Sequence, residues 1–335
     1  MYYILTLILA YILTLILLPI VIKFTNKYKI YDQPDSNIKT HKIPTPYLGG
    51  IAIALSFFIT LLVIRFSTDF DTGTLRNLRG IYISGFILLL VGVYDDLKDM
   101  NFKMKFFWQF LAATVLIFFD MKIKFITPNY MAIFFTYLWI IGIINAVNLV
   151  DIMDGLSSGI ALIACLSFFF INSPMEASYV NFAAIALGGA CLGFLPYNFH
   201  HARIFMGDAG SMFIGLVLAA ISLGTNYSSN NSIGVLAPIF ILAIPIYDTC
   251  YIIIKRLEKG QSIFLGSKDH VALRLNISGW SIKKTVLILY LVGVLLAIAA
   301  YLITEANLKN AIIYALVVLV FAVLVGFKIG EIEVD

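Results

Sequence analysis

Charge is scarce in this sequence. Only 13% of its 335 residues are Asp, Glu, Lys or Arg, about half the share usual in soluble domains. Hydrophobic residues make up 61% of the chain and the mean hydropathy is +0.96. A water-soluble fold of this size would have to expose large apolar areas, and a bilayer removes that problem. The net charge of +4 gives no argument for a nucleic-acid partner. Cysteine is also sparse: Cys165, Cys191 and Cys250 all lie in apolar runs, cannot pair off completely, and read as small apolar residues rather than as a disulfide framework or a metal site. No basic region precedes the apolar segment from Tyr2 to Ile22. That segment is therefore expected to be a retained transmembrane helix rather than a signal peptide. Low-complexity linkers, solenoid repeats and a separate soluble domain are all missing, so residues 1–335 read as a single transmembrane domain.

What the chain does have is apolar runs. They fall at 2–22, 48–66, 80–95, 104–120, 129–148, 157–172, 180–196, 210–225, 232–254, 285–303 and 309–327. The fold class expected is all-α, a polytopic membrane protein with about 11 spans, or ten without the 104–120 run, whose first turns carry Lys105 and Gln109. Basic residues sort strongly between alternate loops. Seventeen lie on one side: Lys23, Lys27, Lys29, Lys39 and Lys42, then Lys98, Lys103 and Lys105, then Arg203, then seven between Lys255 and Lys284, then Lys328. Arg65, Arg76, Arg79, Lys122, Lys124 and Lys309, six in all, lie on the other. The positive-inside rule makes the first side cytoplasmic and puts the N-terminus outside.

The polar signatures fall at helix ends on that same Lys-rich side. Asp95 and Asp96 are adjacent in VGVYDDLKDM. Neighbouring carboxylates repel and need a cation, a basic neighbour or a shared proton. A divalent metal or proton abstraction would use them; a solvated helix end neutralised by Lys98, Lys103 and Lys105 would also explain them. Asn145, Asn148 and Asp151 in NAVNLVDIMDG are spaced three apart, which places them on one helical face. Polar groups at the exit of so apolar a run default to function, with inter-helix hydrogen bonding, or capping by Asp154 ahead of Gly155, as the structural alternative. In YNFHHARIFMGDAGS, Asn198 precedes Asp208, which stands between two glycines ahead of another run. There it can hold Mg²⁺ beside a phosphate or act as a simple N-cap. His270 lies with Lys268, Asp269 and Arg274 in a loop that suits phosphate or plain solvation. Gly189 and Gly193 form a small-xxx-small pair that predicts close helix packing.

Taken in order, HKIPTPYLGG (41–50), DDLKDM (95–100), NAVNLVDIMDGL (145–156), NFHHARIFMGDAGS (198–211) and PIYDT (245–249) resemble the polyprenyl-phosphate N-acetylhexosamine-1-phosphate transferases, glycosyltransferase family 4. The resemblance runs from about residue 30 to about residue 275. It is closer to the GlcNAc-1-phosphate transferase branch than to the phospho-MurNAc-pentapeptide translocases. It implies an enzyme of the phosphotransferase class that moves N-acetylhexosamine-1-phosphate, GlcNAc-1-phosphate foremost, from a UDP-HexNAc to undecaprenyl phosphate, releases UMP and initiates cell-envelope polysaccharide synthesis. It also implies Mg²⁺ as cofactor, with Mn²⁺ as a substitute, a multi-pass location in the inner (plasma) membrane, and dimerisation as one assembly. By matching position, the resemblance gives Asp208 and Asn148 to the metal and Asp154 to uracil. Lys105 goes to the diphosphate, and Asp95 with Asp96 to the lipid phosphate, which is already largely ionised near pH 7. His41, Asn145, Asp151, Asn198, His270 and Arg274 complete the expected substrate-binding set.

The sequence departs from the family pattern in three places. Ile152 stands for a usual Gly, His201 for a usual Pro, and His270 is followed by Val271, Ala272 and Leu273 where relatives continue with histidines. This last difference separates the chain from the pentapeptide translocases and keeps a related fold without activity in view. The alternative from another class is a secondary transporter that uses intramembrane acids for ion coupling. Acids at loop ends on one side, rather than at the midplane, favour an interfacial enzyme.

Overall fold

A computed structural model describes residues 1–34, 43–172, 179–225, 227–262, 267–332 and 334. In chain order the elements are α1 (Tyr2–Tyr28), β1 (Tyr31–Asp32), β2 (Thr45–Pro46), α2 (Gly49–Ser67), α3 (Thr72–Lys98), α4 (Phe102–Phe118), α5 (Asn129–Val150), α6 (Leu156–Ile171), α7 (Tyr179–Asn198) and α8 (Gly207–Ser222). A 3₁₀ turn (Ser232–Leu236) leads into α9 (Ala237–Ile241), α10 (Ala243–Glu258), α11 (Val271–Ile277), α12 (Ile282–Glu305) and α13 (Leu308–Gly330). The two short strands pair antiparallel, Tyr31 opposite Pro46 and Asp32 opposite Thr45.

Every apolar run expected from the sequence is a helix, and the fold is that of an all-α polytopic membrane protein. Among the described residues seven helices are long and apolar enough to cross a bilayer alone, and eight if the 3₁₀–α9 segment and α10 count as one bent span. The remaining three runs are short helices. Two of them, α6 and α8, have 16 residues each, fewer than the roughly 20 needed to span unaided. The third, α4, has 17 and begins with Lys103 and Lys105. The 75° bend before α10 follows from its sequence. Pro245 has no N–H to continue the ladder across the break at Leu242.

Helix α8 is the hub. From Ala209 to Ser222 every residue is buried, and α2, α3, α5, α6 and α7 surround it. Lipid gives no hydrophobic drive to helix association, so close contact depends on small residues. The Gly189/Gly193 pair meets that expectation on α7, where a Cβ would fall 2.5 Å from Leu7 O and 2.7 Å from Tyr11 O of α1. By contrast α12 and α13 keep most of their side chains on the outside of the bundle, as lipid-facing helices do.

Candidate active site

The site is built around the first turn of α8. Gly207 opens that helix with φ +74°, a left-handed conformation natural to glycine, and a Cβ there would sit 2.6 Å from Asp96 Oδ2. Asp96, near the end of α3, accepts the backbone N–H of Asp208 at 2.7 Å on Oδ1 and that of Ala209 at 3.1 Å on Oδ2. A carboxylate from one helix therefore caps the next, against the positive end of its dipole. The chain before α8 is fastened to the chain before α2 by main-chain bonds: Phe205 N–H to Pro46 O at 2.8 Å, Gly49 N–H to Phe205 O at 2.9 Å and Gly50 N–H to Met206 O at 2.9 Å. The Tyr47 hydroxyl donates to the Asp96 carbonyl. Two glycines let the helices cross there. A Cβ on Gly50 would lie 2.1 Å from Gly210 N, and one on Gly92 2.3 Å from Ala209 Cα.

So held, Asp208 is the centre of a polar cluster drawn from four helices. The Asn148 Nδ2 amide donates to Asp208 Oδ1 at 2.5 Å and to Ser211 Oγ at 2.8 Å. Lys105 Nζ donates to Asp208 Oδ2 at 2.9 Å and forms an ion pair with Asp95 Oδ2. Asp95 is buried at 3% exposure, and its Oδ1 accepts the Met100 N–H at 2.6 Å. The cluster opens onto a cavity of 530 Å³. Its walls carry seven aspartates, Asp32, Asp95, Asp96, Asp99, Asp151, Asp154 and Asp208, together with Asn148, Asn198, Tyr31, Gln33 and Tyr47. Burial pushes the Asp151 carboxyl up, and the nearby Asp208 and Asp154 carboxylates add to that, to about 7. Asp154 Oδ2 accepts the Ala202 N–H at 3.1 Å and lies 2.9 Å from His200 Nδ1. Asn198 braces the loops: its Oδ1 accepts the Gly155 N–H at 3.0 Å and its amide donates to Ile204 O at 3.0 Å.

The donor set can be tested for a metal. Among the described residues no three Asp, Glu, His or Cys side chains converge as a ready-made cage. Asp208 and Ser211 instead offer oxygens in an open site, and Asn148 would add its Oδ1 if the amide that now donates to both of them turned over. That fits Mg²⁺, which keeps several waters and takes substrate phosphates as ligands. It does not fit a closed structural zinc.

Of the residues expected from the sequence, Asp95, Asp96, Asn148, Asp151, Asp154, Asn198 and Asp208 line one cavity, and Lys105 stands directly behind it. Three others are placed elsewhere. Asn145 is bound to Gln109 both ways, its Nδ2 donating to Oε1 at 2.7 Å and its Oδ1 accepting from Nε2 at 3.2 Å. An amide inside a helical bundle satisfies itself on a neighbouring helix, and this one turns away from the cavity. His270 is buried at 4% exposure, its Nδ1 2.7 Å from Asp248 Oδ2, while Asp248 Oδ1 accepts the Val271 N–H at 2.7 Å. Arg274 is equally buried: it donates to Ile329 O at 3.2 Å, Ile332 O at 2.5 Å and Asp269 Oδ1 at 2.7 Å. Both residues fasten α10, α11 and the end of α13 together rather than facing the cavity. Desolvation raises the Asp269 carboxyl, but hydrogen bonds from Ser267, Lys259 and Arg274 outweigh it and hold the group at about 2. His41 lies outside the described residues.

Sequence reasoning passed over Tyr47, Ser211, Asp248, Gly50 and Gly92. Tyr47, Gly50, Ser211 and Asp248 sit inside motifs already singled out, so the signal was present. Gly92 also lies inside a quoted motif, VGVYDDLKDM, but nothing there marks it as the residue that touches Ala209.

A family model described as glycosyl transferase family 4 matches residues 78–226. A probable undecaprenyl-phosphate N-acetylglucosaminyl 1-phosphate transferase from Bacillus subtilis is 31% identical over 325 residues, covering 94% of this chain and 89% of that protein. A decaprenyl-phosphate N-acetylglucosaminephosphotransferase from Mycobacterium tuberculosis is 32% identical over 287 residues, 75% of this chain and 70% of the relative. A phospho-N-acetylmuramoyl-pentapeptide-transferase from Limosilactobacillus reuteri is 30% identical over 322 residues, 89% of this chain and 96% of the relative.

Proposed function

This chain belongs to glycosyl transferase family 4, and from that premise we propose that it transfers GlcNAc-1-phosphate from UDP-GlcNAc to undecaprenyl phosphate in the plasma membrane, initiating a cell-envelope polysaccharide. The observation that carries the reading is the Asp208 cluster: a carboxylate held by Asn148 and paired with a lysine, in the wall of an aspartate-lined cavity where several spanning helices end. One substrate is a lipid and the other a soluble anion, and such a pair can react only at the membrane face. Acids at helix ends around a cavity of 530 Å³ favour this over ion coupling at the midplane.

In the proposed reaction an oxygen of the lipid phosphate forms a bond to the β-phosphorus of the donor. The bond from that phosphorus to the bridging oxygen breaks, and the oxygen leaves with its electron pair as UMP. The product is polyprenyl-diphosphate-GlcNAc. A wall lined with aspartates would repel both anionic substrates, so a cation beside Asp208 would help to admit them. Asp208, with Asn148 beside it, would hold Mg²⁺, which when bound neutralises the diphosphate and the charge that develops in transfer. Asp96 keeps Asp208 in place through its two amide bonds. Asp95 keeps Lys105 at the cluster. Asp154, fixed by Ala202 N–H and His200, faces the cavity as a hydrogen-bond acceptor for the N–H of a uracil. The lipid phosphate enters as an anion, so orientation matters more than a strong base.

The test is a donor panel: purified protein, Mg²⁺, undecaprenyl phosphate and UDP-sugars, with UMP release as the readout. UMP is expected with UDP-GlcNAc and not without the lipid. Substrate uptake into proteoliposomes without UMP would reverse the reading in favour of a transporter.

A further inference from the structure

The Lys105 ammonium occupies the position that the proposed metal would need. It donates to Asp208 Oδ2 at 2.9 Å and pairs with Asp95, while Asp208 Oδ1 is held by Asn148. Lys105 comes from the first turn of α4, 103 residues away in sequence, and its side chain is 28% exposed, so it is free to leave as well as to stay. Among the described residues the cavity wall itself carries no Lys, Arg or His. Lys105 is thus the counter-ion of the cluster. A divalent cation would sit about 2.1 Å from the same carboxylate, and two cations cannot share one oxygen at that range without strong repulsion.

We propose that Lys105 and the divalent cation compete for Asp208, so that the cation binds weakly alone and tightly only with the nucleotide-sugar donor. This rests on the metal reading given above. The donor's diphosphate supplies the metal with further oxygens and offers the displaced ammonium another anion. Both effects favour the doubly loaded state. By linkage, the donor tightens metal binding by the same factor that the metal tightens donor binding. The arrangement would prevent the aspartate-walled cavity from holding a metal without its substrate.

Mn²⁺ binding to the full-length protein, read by electron paramagnetic resonance in detergent without acceptor lipid, tests the idea. Lys105→Gln is expected to bind Mn²⁺ alone about tenfold more tightly than the unaltered protein, and to lose most of the tightening that UDP-GlcNAc brings. Equal or weaker binding by Lys105→Gln would overturn the competition. If Asp208→Asn abolishes Mn²⁺ binding while Lys105→Gln leaves it unchanged, the metal site stands and only the competition fails. If Asp208→Asn leaves Mn²⁺ binding intact, the metal reading falls and the competition with it. A second measurement needs no variant. Mn²⁺ should speed acetylation of Lys105 by acetic anhydride, followed by mass spectrometry, and an unchanged rate would also overturn the proposal.

Discussion

Gly92→Ala adds one methyl group where α3 crosses the first turn of α8, and it is expected to lower turnover about a hundredfold. The new Cβ would lie 2.3 Å from Ala209 Cα, 2.5 Å from Ala209 N and 2.8 Å from the carbonyl carbon of Asp208. Ordinary contact begins near 3.4 Å. All three neighbours are main chain or directly on it, so no side chain can rotate aside, and the start of α8 must move by about 1 Å. That shift pulls Asp208 from Asn148 and loosens the two amide bonds to Asp96. Overpacking of this kind costs about 1–3 kcal/mol of stability, less than the fold depends on, whereas a 1 Å misplacement of a reacting group costs about two orders of magnitude in rate. The assay is UMP release by purified protein, beside a thermal melt. Gly142→Ala in α5 is the control, because a Cβ there meets nothing within 4 Å. It should keep full activity and gain slightly from helix propensity. Turnover by Gly92→Ala within about threefold of the unaltered protein would refute the argument that this crossing places the metal ligand.

Other perturbations separate the roles of the remaining groups. Asp208→Ala should abolish UMP release while the protein still runs as a folded species in size-exclusion chromatography; near-normal turnover would remove Asp208 from the metal. Asp96→Asn puts an NH₂ against one of the two amides it now accepts, at a cost of about 2 kcal/mol, and should lower kcat with little change in KM for the donor. Arg274→Ala should lower the melting point, by a destabilisation of about 3 kcal/mol, yet leave kcat per folded molecule intact, because Arg274 holds the end of α13 and not substrate. A raised KM for the donor without loss of stability would show the opposite. Asp269 sets an acid limb. Its folded pKa of about 2 lies below the usual 3.8, so its stabilisation, about 2 kcal/mol, is complete above pH 4 and lost as pH falls toward 2. Melts of Asp269→Asn should lack that limb.

Much of this was legible without coordinates. Span positions follow from apolar runs because backbone in lipid must satisfy itself, and helices do so locally. Asp208, Asn148, Asp95 and Asp96 were visible as acids and amides at the ends of apolar segments, where charge is expensive enough to imply a use. Gly189 and Gly193 announced their close contact by spacing alone, although not that α1 was the partner.

Partner choice was another matter, since hydrogen bonds across a bundle join residues that are distant in sequence. Asn145 shares the three-residue spacing of Asn148 and Asp151, yet Gln109 claims its amide while Asn148 reaches Asp208. His270 and Arg274 look like phosphate binders in a basic loop, but burial obliged them to find protein partners in Asp248, Asp269 and the chain end. The sequence by itself determined which segments are apolar helices and which acids lie at their ends, because both depend on local composition against a slab of hydrocarbon; that three of the eleven runs are too short to span unaided appears only in the helix lengths. Only the tertiary structure decided that Asp96 caps α8 and that Gly50 and Gly92 admit its first turn. It also decided that Lys105 sits on the carboxylates a metal would use, because each of those facts is a distance between helices, and distances between helices are set by packing.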